Sequence, residues 1–563
     1  VQPDPKTKSI HTINFEPFED GRMNVRLARR TILLALFSAP LALCGIAAQA
    51  QLDASLQQRI EKIMARPEFA HSRFGIEFIA ADTGNVVYAL NQQQLFVPGS
   101  TTKLLTEGTA LELLGPDYRF HTMIYRTGPI EKNGTLKGDL VLVASGDLDL
   151  SNRIQPDDTL AFENEDHSYG GPDSHGLTGD PLLVMHEFAR QIAAKGIKRV
   201  QGRILIDDTL FPGGERELGT GVVESPIVVN DNIIDVIVTP GAKEDAPVEW
   251  KIAPQTSYVT FINHAKTGKP GSKTTLDYDD EKLNPDGSRS VTLAGSIAVD
   301  AKPAMAAYAV PEPSRFAATL LMEALREQGI QSTLPPTSEQ IDFKSLAAKN
   351  DKPDNLVAEH VSPPLREEVK ITLKVSQNLH ASSTPFLLGA LVAHKTTDIK
   401  QAGFDQERAF LTKAGLDLSG AAQSDGAGGD AYFSPDFMVH YLRFMSTQKD
   451  YDLFYRSLPI LGKDGTLFNI QTDSPAAGHV HAKTGTFSTY DALNKRLTVT
   501  GKGLAGYMDT ASGQHLILAL YVNMVSVSLD DPDATRKIAG EALGEIAAAA
   551  WDAPLPATDT PTR

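Results

Sequence analysis

Cysteine is almost absent from this chain of 563 residues, which has only Cys44. One cysteine excludes an internal disulfide framework and a multi-thiolate metal site. Tryptophan is scarce as well, with two residues, and aromatics make up only 7%. No basic run occurs, and 53 Lys and Arg stand against 70 Asp and Glu, a net charge of −17. A chain of that sign gets no general electrostatic help toward a phosphate backbone, so nucleic acid is not an expected partner. Hydrophobic content of 41% and charged content of 22% are ordinary. They exclude collagen-like, wholly disordered and multi-span membrane chains. The length leaves room for three to four domains.

One apolar run stands out near the start. Arg26, Arg29 and Arg30 precede an apolar core from Ile32 to Ile46, and Ala48-Gln49-Ala50 supplies small residues for cleavage. That order predicts an export signal over residues 23–50, with residues 1–22 upstream of a start at Met23. Pro40 and the shortness of the run argue against a retained anchor. Arg29-Arg30 also permits a twin-arginine route. Bulky Leu43 before Cys44 argues against a lipid-modified cysteine. Cleavage after Ala50 would remove Cys44 and leave no thiol nucleophile.

Beyond the signal, Leu56, Ile60 and Ile63 share one face of a helical pattern that Arg66-Pro67 ends. Strands are expected at Phe74–Ala80 and Val86–Leu90, joined by the turn sequence Asp82-Thr83-Gly84-Asn85. A helix is expected from Ser100 to Leu114. After about residue 125, short strands such as Leu140–Val143 and Arg203–Ile206 alternate with a helix at Pro181–Lys195. Residues 233–303 read as strand and turn, rich in Gly, Pro and Asp. A helix follows at Arg315–Gln328, then a polar stretch at Lys349–Asn355. His515–Val525 is a long apolar strand, Ile538–Ala549 an Ala-rich helix, and 553–563 a Pro/Thr tail expected to be disordered. Helix and strands at the front, with strand and helix at the back, predict one sheet built from both chain ends. The middle would then be inserted into it.

Three short segments carry chemistry. Ser100-Thr101-Thr102-Lys103 sits at a strand-to-helix entry, where residues three apart share a face and the amine can reach the hydroxyl. Serine is a poor nucleophile until a base takes its proton, and a lysine held neutral can do so. Ser376-Gln377-Asn378 follows a helical pattern from Leu365, so a hydroxyl and an amide can face one cleft. Lys483-Thr484-Gly485-Thr486 reads as a strand, with Lys483 and Gly485 on one face and Thr484 and Thr486 on the other. Gly485 would let a ligand approach the backbone closely. Each segment alone is weak. Ser446-Thr447-Gln448-Lys449, expected on an ordinary helix, repeats the first spacing, and Lys266-Thr267-Gly268 repeats the third. Only Ser100–Lys103, Ser376–Asn378 and Lys483–Gly485 occur in the order of the active-site-serine penicillin-binding proteins and β-lactamases.

The chain resembles the class C low-molecular-mass penicillin-binding proteins, the penicillin-binding protein 4 type of D-Ala-D-Ala carboxypeptidase/endopeptidase. Further matching stretches are Val229-Asn230-Asp231-Asn232 with Pro240-Gly241, Ser362-Pro363-Pro364-Leu365 and Ser424-Asp425-Gly426-Ala427-Gly428. Gly462-Lys463-Asp464-Gly465-Thr466-Leu467 and Leu504-Ala505-Gly506-Tyr507 complete the set. Ser100 and Ser376 lie 276 positions apart, which in this family accommodates two extra domains, one nested in the other. The resemblance implies an α+β fold: a serine β-lactamase/transpeptidase-like domain, an antiparallel sheet flanked by helices, at 51–125 and 357–552. An inserted domain would occupy 126–232 and 304–356, and a nested β-rich domain 233–303.

It further implies Lys103 as base to Ser100, Ser376 as proton relay and Asn378 as the holder of the substrate amide. Backbone N–H groups of Ser100 and Thr486 would form the oxyanion hole. Lys483, Thr484, Gly485 and Thr486 would meet the terminal carboxylate, and Asp207 and Asp208 the stem peptide's amino group, although that pair reads equally as a simple turn. The implied partners are peptidoglycan stem peptides and β-lactam antibiotics in the periplasm, with loose membrane or wall association. No cofactor and no metal are implied; His479-x-His481 is an isolated pair. The competing readings are a serine β-lactamase and a non-catalytic wall-binding protein. A lipase-type esterase is disfavoured, because Pro172-Asp173-Ser174-His175-Gly176 lacks the first glycine of a nucleophile elbow. Departures from the family pattern are Ser382 in place of an acid, Ala427 and Gly429 in the Asp-Gly loop, and about a dozen residues inserted at Asp491–Lys502.

Overall fold

The protein was analysed as a computed structural model that describes residues 56–531 and 533–554. The expected signal at 23–50 and the tail from 555 onward lie outside the described residues. Both chain ends build one antiparallel sheet. Its order is Val480–Asp491, Arg496–Asp509, His515–Asn523, Arg73–Ala80 and Val86–Leu90, with Val525–Val527 also paired to Arg496–Asp509. The long apolar strand explains itself here, because it is buried on both faces. Ile517, Ala519 and Tyr521 join one core with Leu104, Leu105, Leu373 and Met438. Leu516, Leu518 and Leu520 join another with Leu56, Ile60, Leu543 and Ile546. Strand Val480–Asp491 is an outer strand of this sheet, and its first residues bridge to Pro459–Leu461 through Leu461 N–H to the Val480 carbonyl and Ala482 N–H to the Pro459 carbonyl, 2.9 Å each.

The middle of the chain forms a second sheet, ordered Gln331–Thr333, Arg199–Asp207, Leu140–Val143, His121–Arg126 and Leu356–Val361, with Thr135–Leu136 beside Arg199–Asp207. The strands His121–Arg126 and Leu356–Val361 are antiparallel neighbours that straddle residues 125/126 and 356/357. Helices Leu183–Ala194 and Pro313–Glu327 supply Phe188, Ile192, Phe316 and Leu320 to that sheet's core. Residues 233–309 contain three small sheets, including Ala304–Ala309, Ile233–Thr239 and Glu249–Ala253 side by side.

Three local expectations change. The helix expected from Ser100 begins as a tight 3₁₀ turn, Gly99–Thr102, before the α-helix Lys103–Leu114. The C-terminal helix is Glu541–Trp551, entered through a π turn at Arg536–Gly540. Ser446–Lys449 is not helical, since helix Pro435–Met445 stops before it. The hydroxyls of Ser446 and Thr447 donate to the carbonyls of Arg443 and Phe444 at 2.7 Å each, taking acceptors of the last turn for themselves. The segment Asp491–Lys502 continues two paired strands outward as a hairpin, with Asp491 opposite Arg496.

Candidate active site

Ser100 lies in the tight turn, and Lys103 opens the helix one turn later, with its side chain wholly buried. Lys103 Nζ donates to Ser100 Oγ at 2.9 Å, to the Ser376 carbonyl at 2.7 Å and to Ser376 Oγ at 3.1 Å. Asn378 Oδ1 is a fourth neighbour. Lys483 Nζ reaches Ser376 Oγ from the other side at 2.8 Å and also donates to the Thr484 carbonyl at 2.9 Å. The three segments are therefore joined through one hydroxyl, that of Ser376.

Ser376 holds φ +64°, a left-handed conformation that costs a residue with a Cβ about 1–3 kcal/mol. Its carbonyl accepts from both Lys103 and the Tyr169 hydroxyl, the latter at 2.6 Å, which offsets that cost. Burial brings the Lys103 amine down to about 7, against the opposing pull of the Glu217, Asp425 and Glu107 carboxylates. Burial, with Lys103 and Lys502 nearby, also holds the Lys483 amine well below its ordinary value. A lysine that is half neutral near pH 7 can take a proton, which a free lysine cannot.

The Lys483 strand lies directly on the Ser100 turn. A Cβ at Gly485 would fall 1.9 Å from the Pro98 carbonyl oxygen, and one at Gly99, whose φ is +52°, would fall 2.5 Å from the Thr486 nitrogen. Glycine at both positions lets two backbones close to a distance that places the Ser100 and Thr486 N–H groups together. The Ser424–Gly428 stretch packs behind the same turn. Asp425 accepts from the N–H groups of Ala427 and Gly428 at 2.7 and 2.6 Å, and Thr106 donates to the Gly426 carbonyl at 2.9 Å. Lys374 binds Asp464 through both carboxylate oxygens, at 2.8 and 2.7 Å, and so ties the helix before Ser376 to the Gly462–Leu467 stretch. Thr484 donates to Thr466 of that stretch at 2.7 Å.

A cavity of about 490 Å³ is lined by Ser100, Ser376, Asn378, Thr484 and Thr486. Lys103 and Lys483 lie beneath its wall, with both side chains fully buried. Asp207 and Asp208 are not among the residues that line the cavity. Asp207 ends its strand by accepting from the N–H and hydroxyl of Thr209, at 3.1 and 2.6 Å, and Asp208 accepts from Ser314. Instead Asn164, Glu165, Asp166 and Tyr169 bring the middle of the chain to the cavity. Lys266 is exposed on a three-residue strand among the small sheets.

The sequence reading missed a buried ionic chain behind Ser376. Asn230, Asp231 and Asn232 all have positive φ, 49°, 52° and 53°, which Asn and Asp tolerate best among residues with a Cβ. The turn aims the Asp231 carboxylate at Arg153 and His167, each at 2.7 Å, and at His380 at 2.9 Å. His380 in turn lies 2.8 Å from Glu368. Arg153 also meets Asp166, whose other oxygen accepts from the Gln377 amide at 3.0 Å. Burial alone would raise Asp231, but Arg153, His167 and His380 hold it well below the usual carboxylate range. Burial opposes the His380 imidazolium, yet Glu368 and Asp231 raise it well above its ordinary value. Burial and Glu368 push Asp149 well above the usual carboxylate range. The stretch 229–232 was visible as a family match; its role was not, because its partners are 78 and 149 positions away.

Residues 56–543 match the model of the D-Ala-D-Ala carboxypeptidase 3 (S13) family. The chain belongs to that family. It is a serine-type D-Ala-D-Ala carboxypeptidase by this membership. The D-alanyl-D-alanine carboxypeptidase of Actinomadura sp. (strain R39) is 27% identical over 502 residues, covering 84% of this chain and 85% of that protein. The D-alanyl-D-alanine carboxypeptidase DacB of Haemophilus influenzae is 23% identical over 469 residues, covering 80% and 85%. The crystal structure of penicillin-binding protein 4 (dacB) from Haemophilus influenzae matches this fold with a TM-score of 0.66 at 20% identity, over 89% of this chain and 99% of that one. The carboxypeptidase thus shares its α+β architecture with a penicillin-binding protein.

Proposed function

We propose that Ser100 is the nucleophile of this carboxypeptidase and that its substrate is the D-Ala-D-Ala end of a peptidoglycan stem peptide. Ser100 Oγ attacks the carbonyl carbon of the penultimate D-alanine and passes its proton to the neutral Lys103 amine. The negative charge on the carbonyl oxygen is met by the N–H groups of Ser100 and Thr486. Ser376 Oγ, which touches both Lys103 and Lys483, hands its proton to the departing nitrogen as the C–N bond breaks and regains one from the Lys103 ammonium, which returns to the neutral amine. D-Alanine leaves, and water then cleaves the ester to restore Ser100. Asn378 holds the substrate amide beside the cavity wall. The observation that carries this reading is the single hydroxyl of Ser376 bonded to two buried lysines, one of them 2.9 Å from Ser100.

The same acyl-transfer chemistry cleaves D-Ala cross-links as an endopeptidase and forms a stable adduct with penicillins. The division into a two-part catalytic domain, an inserted domain and a nested β domain is part of the proposal, as is export to the periplasm through the residue 23–50 signal. Mass spectrometry of purified muropeptides after incubation tests it. Loss of one D-alanine from pentapeptides supports carboxypeptidase action, and conversion of cross-linked dimers to monomers supports endopeptidase action. Unchanged muropeptides would contradict both.

A further inference from the structure

Lys502 stands on the strand next to the Lys483 strand, paired directly with Thr486. Its Nζ donates to Thr486 Oγ1 at 2.7 Å, and both residues line the cavity that holds Ser100. Lys502 has no carboxylate within ion-pair distance among the described residues. The charge that acts on it is another cation, Arg536. Arg536 is already neutralised, at 2.7 Å from Asp533 and 3.8 Å from Glu541. Lys483 is the cation that the sequence would put against a substrate carboxylate, yet its side chain is fully buried and its amine is bound to Ser376 and Thr484. The open cation is Lys502.

Its position fits the substrate. Thr486 presents its N–H beside Ser100 and its hydroxyl to Lys502. One residue of extended chain spans about 3.5 Å, so the carboxylate of the leaving residue falls one short step from the carbonyl that Ser100 attacks. Resting on the acyl-transfer reading above, we infer that Lys502 and the Thr486 hydroxyl together bind the C-terminal carboxylate, and that Lys502 is the residue that makes a free carboxyl end a requirement. Burial beside Arg536 lowers the Lys502 amine to about 8, which leaves it mostly charged at neutral pH. The segment Asp491–Lys502, inserted relative to the family pattern, ends at this residue.

The test uses the full chain with benzylpenicillin and its carboxyl methyl ester, which differ only in that charge. Acylation is followed by intact mass for the parent protein, Lys502→Met and Lys502→Arg, each checked by thermal melt. A charge-assisted hydrogen bond is worth about tenfold or more. Lys502→Met should therefore slow acylation by the acid about tenfold or more and by the ester less than about twofold. Lys502→Arg should recover most of the loss. With an acyl-D-Ala-D-Ala peptide the same loss should appear in KM rather than kcat. An equal loss with acid and ester, or no loss with either, overturns the assignment of Lys502 alone. Absence of any adduct on the parent protein overturns the acyl-transfer reading and this inference with it.

Discussion

Lys103 Nζ lies 2.9 Å from Ser100 Oγ across a single helical turn, with neither charge nor water needed to bridge them. The burial that brings this amine to about 7 sets the pH dependence of the first chemical step. The ammonium has no lone pair to accept the serine proton, so activity belongs to the deprotonated form. The acylation rate should rise with pH, about tenfold per unit below 7, and level off above it. Stopped-flow acylation by a penicillin between pH 5 and 9 measures this. A rate that falls across that range would contradict Lys103 as base.

Removing the amine tests the same role independently. Lys103→Ala should slow acylation by about two to four orders of magnitude, the usual worth of a positioned base. A variant that acylates at the parent rate would show that some other group takes the proton.

Two lysines head a Lys-Thr-Gly, and only one touches the site. Lys483→Ala removes the amine 2.8 Å from Ser376 Oγ and should cut D-alanine release at least about tenfold. Lys266 is exposed, and its replacement by Ala should change that rate by less than about twofold. Kinetics on a D-Ala-D-Ala peptide with both variants decide between them. If Lys266→Ala proves the damaging one, the small sheets belong to the catalytic cleft.

Asp231 is the common partner of Arg153, His167 and His380, all buried. Asp231→Asn would take a counter-charge from buried Arg153 and His167, a change worth about 3–5 kcal/mol. The expected result is a clearly lower urea midpoint at neutral pH, where His167, raised to about 10 by Asp235 and Asp231 against its burial, is still charged. An unchanged midpoint would show that the ionic chain contributes nothing net.

The sequence carried the three segments that meet at Ser376 because Ser100 and Lys103 are one helical turn apart, and because the order of the three segments is informative even when each alone is not. It also carried the two-ended sheet, since a strand buried on both faces, such as His515–Asn523, reads as a continuous apolar run. Contacts between distant segments left no such trace. Tyr169 bonds the Ser376 carbonyl from 207 positions away, and nothing around Tyr169 in the sequence marks it. Asp207 and Asp208 read in the sequence as a pair of carboxylates, whereas the partners that the structure gives them are local or at a helix start, Thr209 and Ser314. Lys502 was read as the end of an insertion. Only the register that sets it opposite Thr486 shows that it faces the cavity.

The account rests most directly on the identity of the acylated residue. The protein should be incubated with a labelled penicillin, digested and mapped by mass spectrometry. The adduct is predicted on the peptide containing Ser100, and it should vanish in Ser100→Ala. An adduct on the peptide containing Ser446, or labelling that persists in Ser100→Ala, would contradict the account.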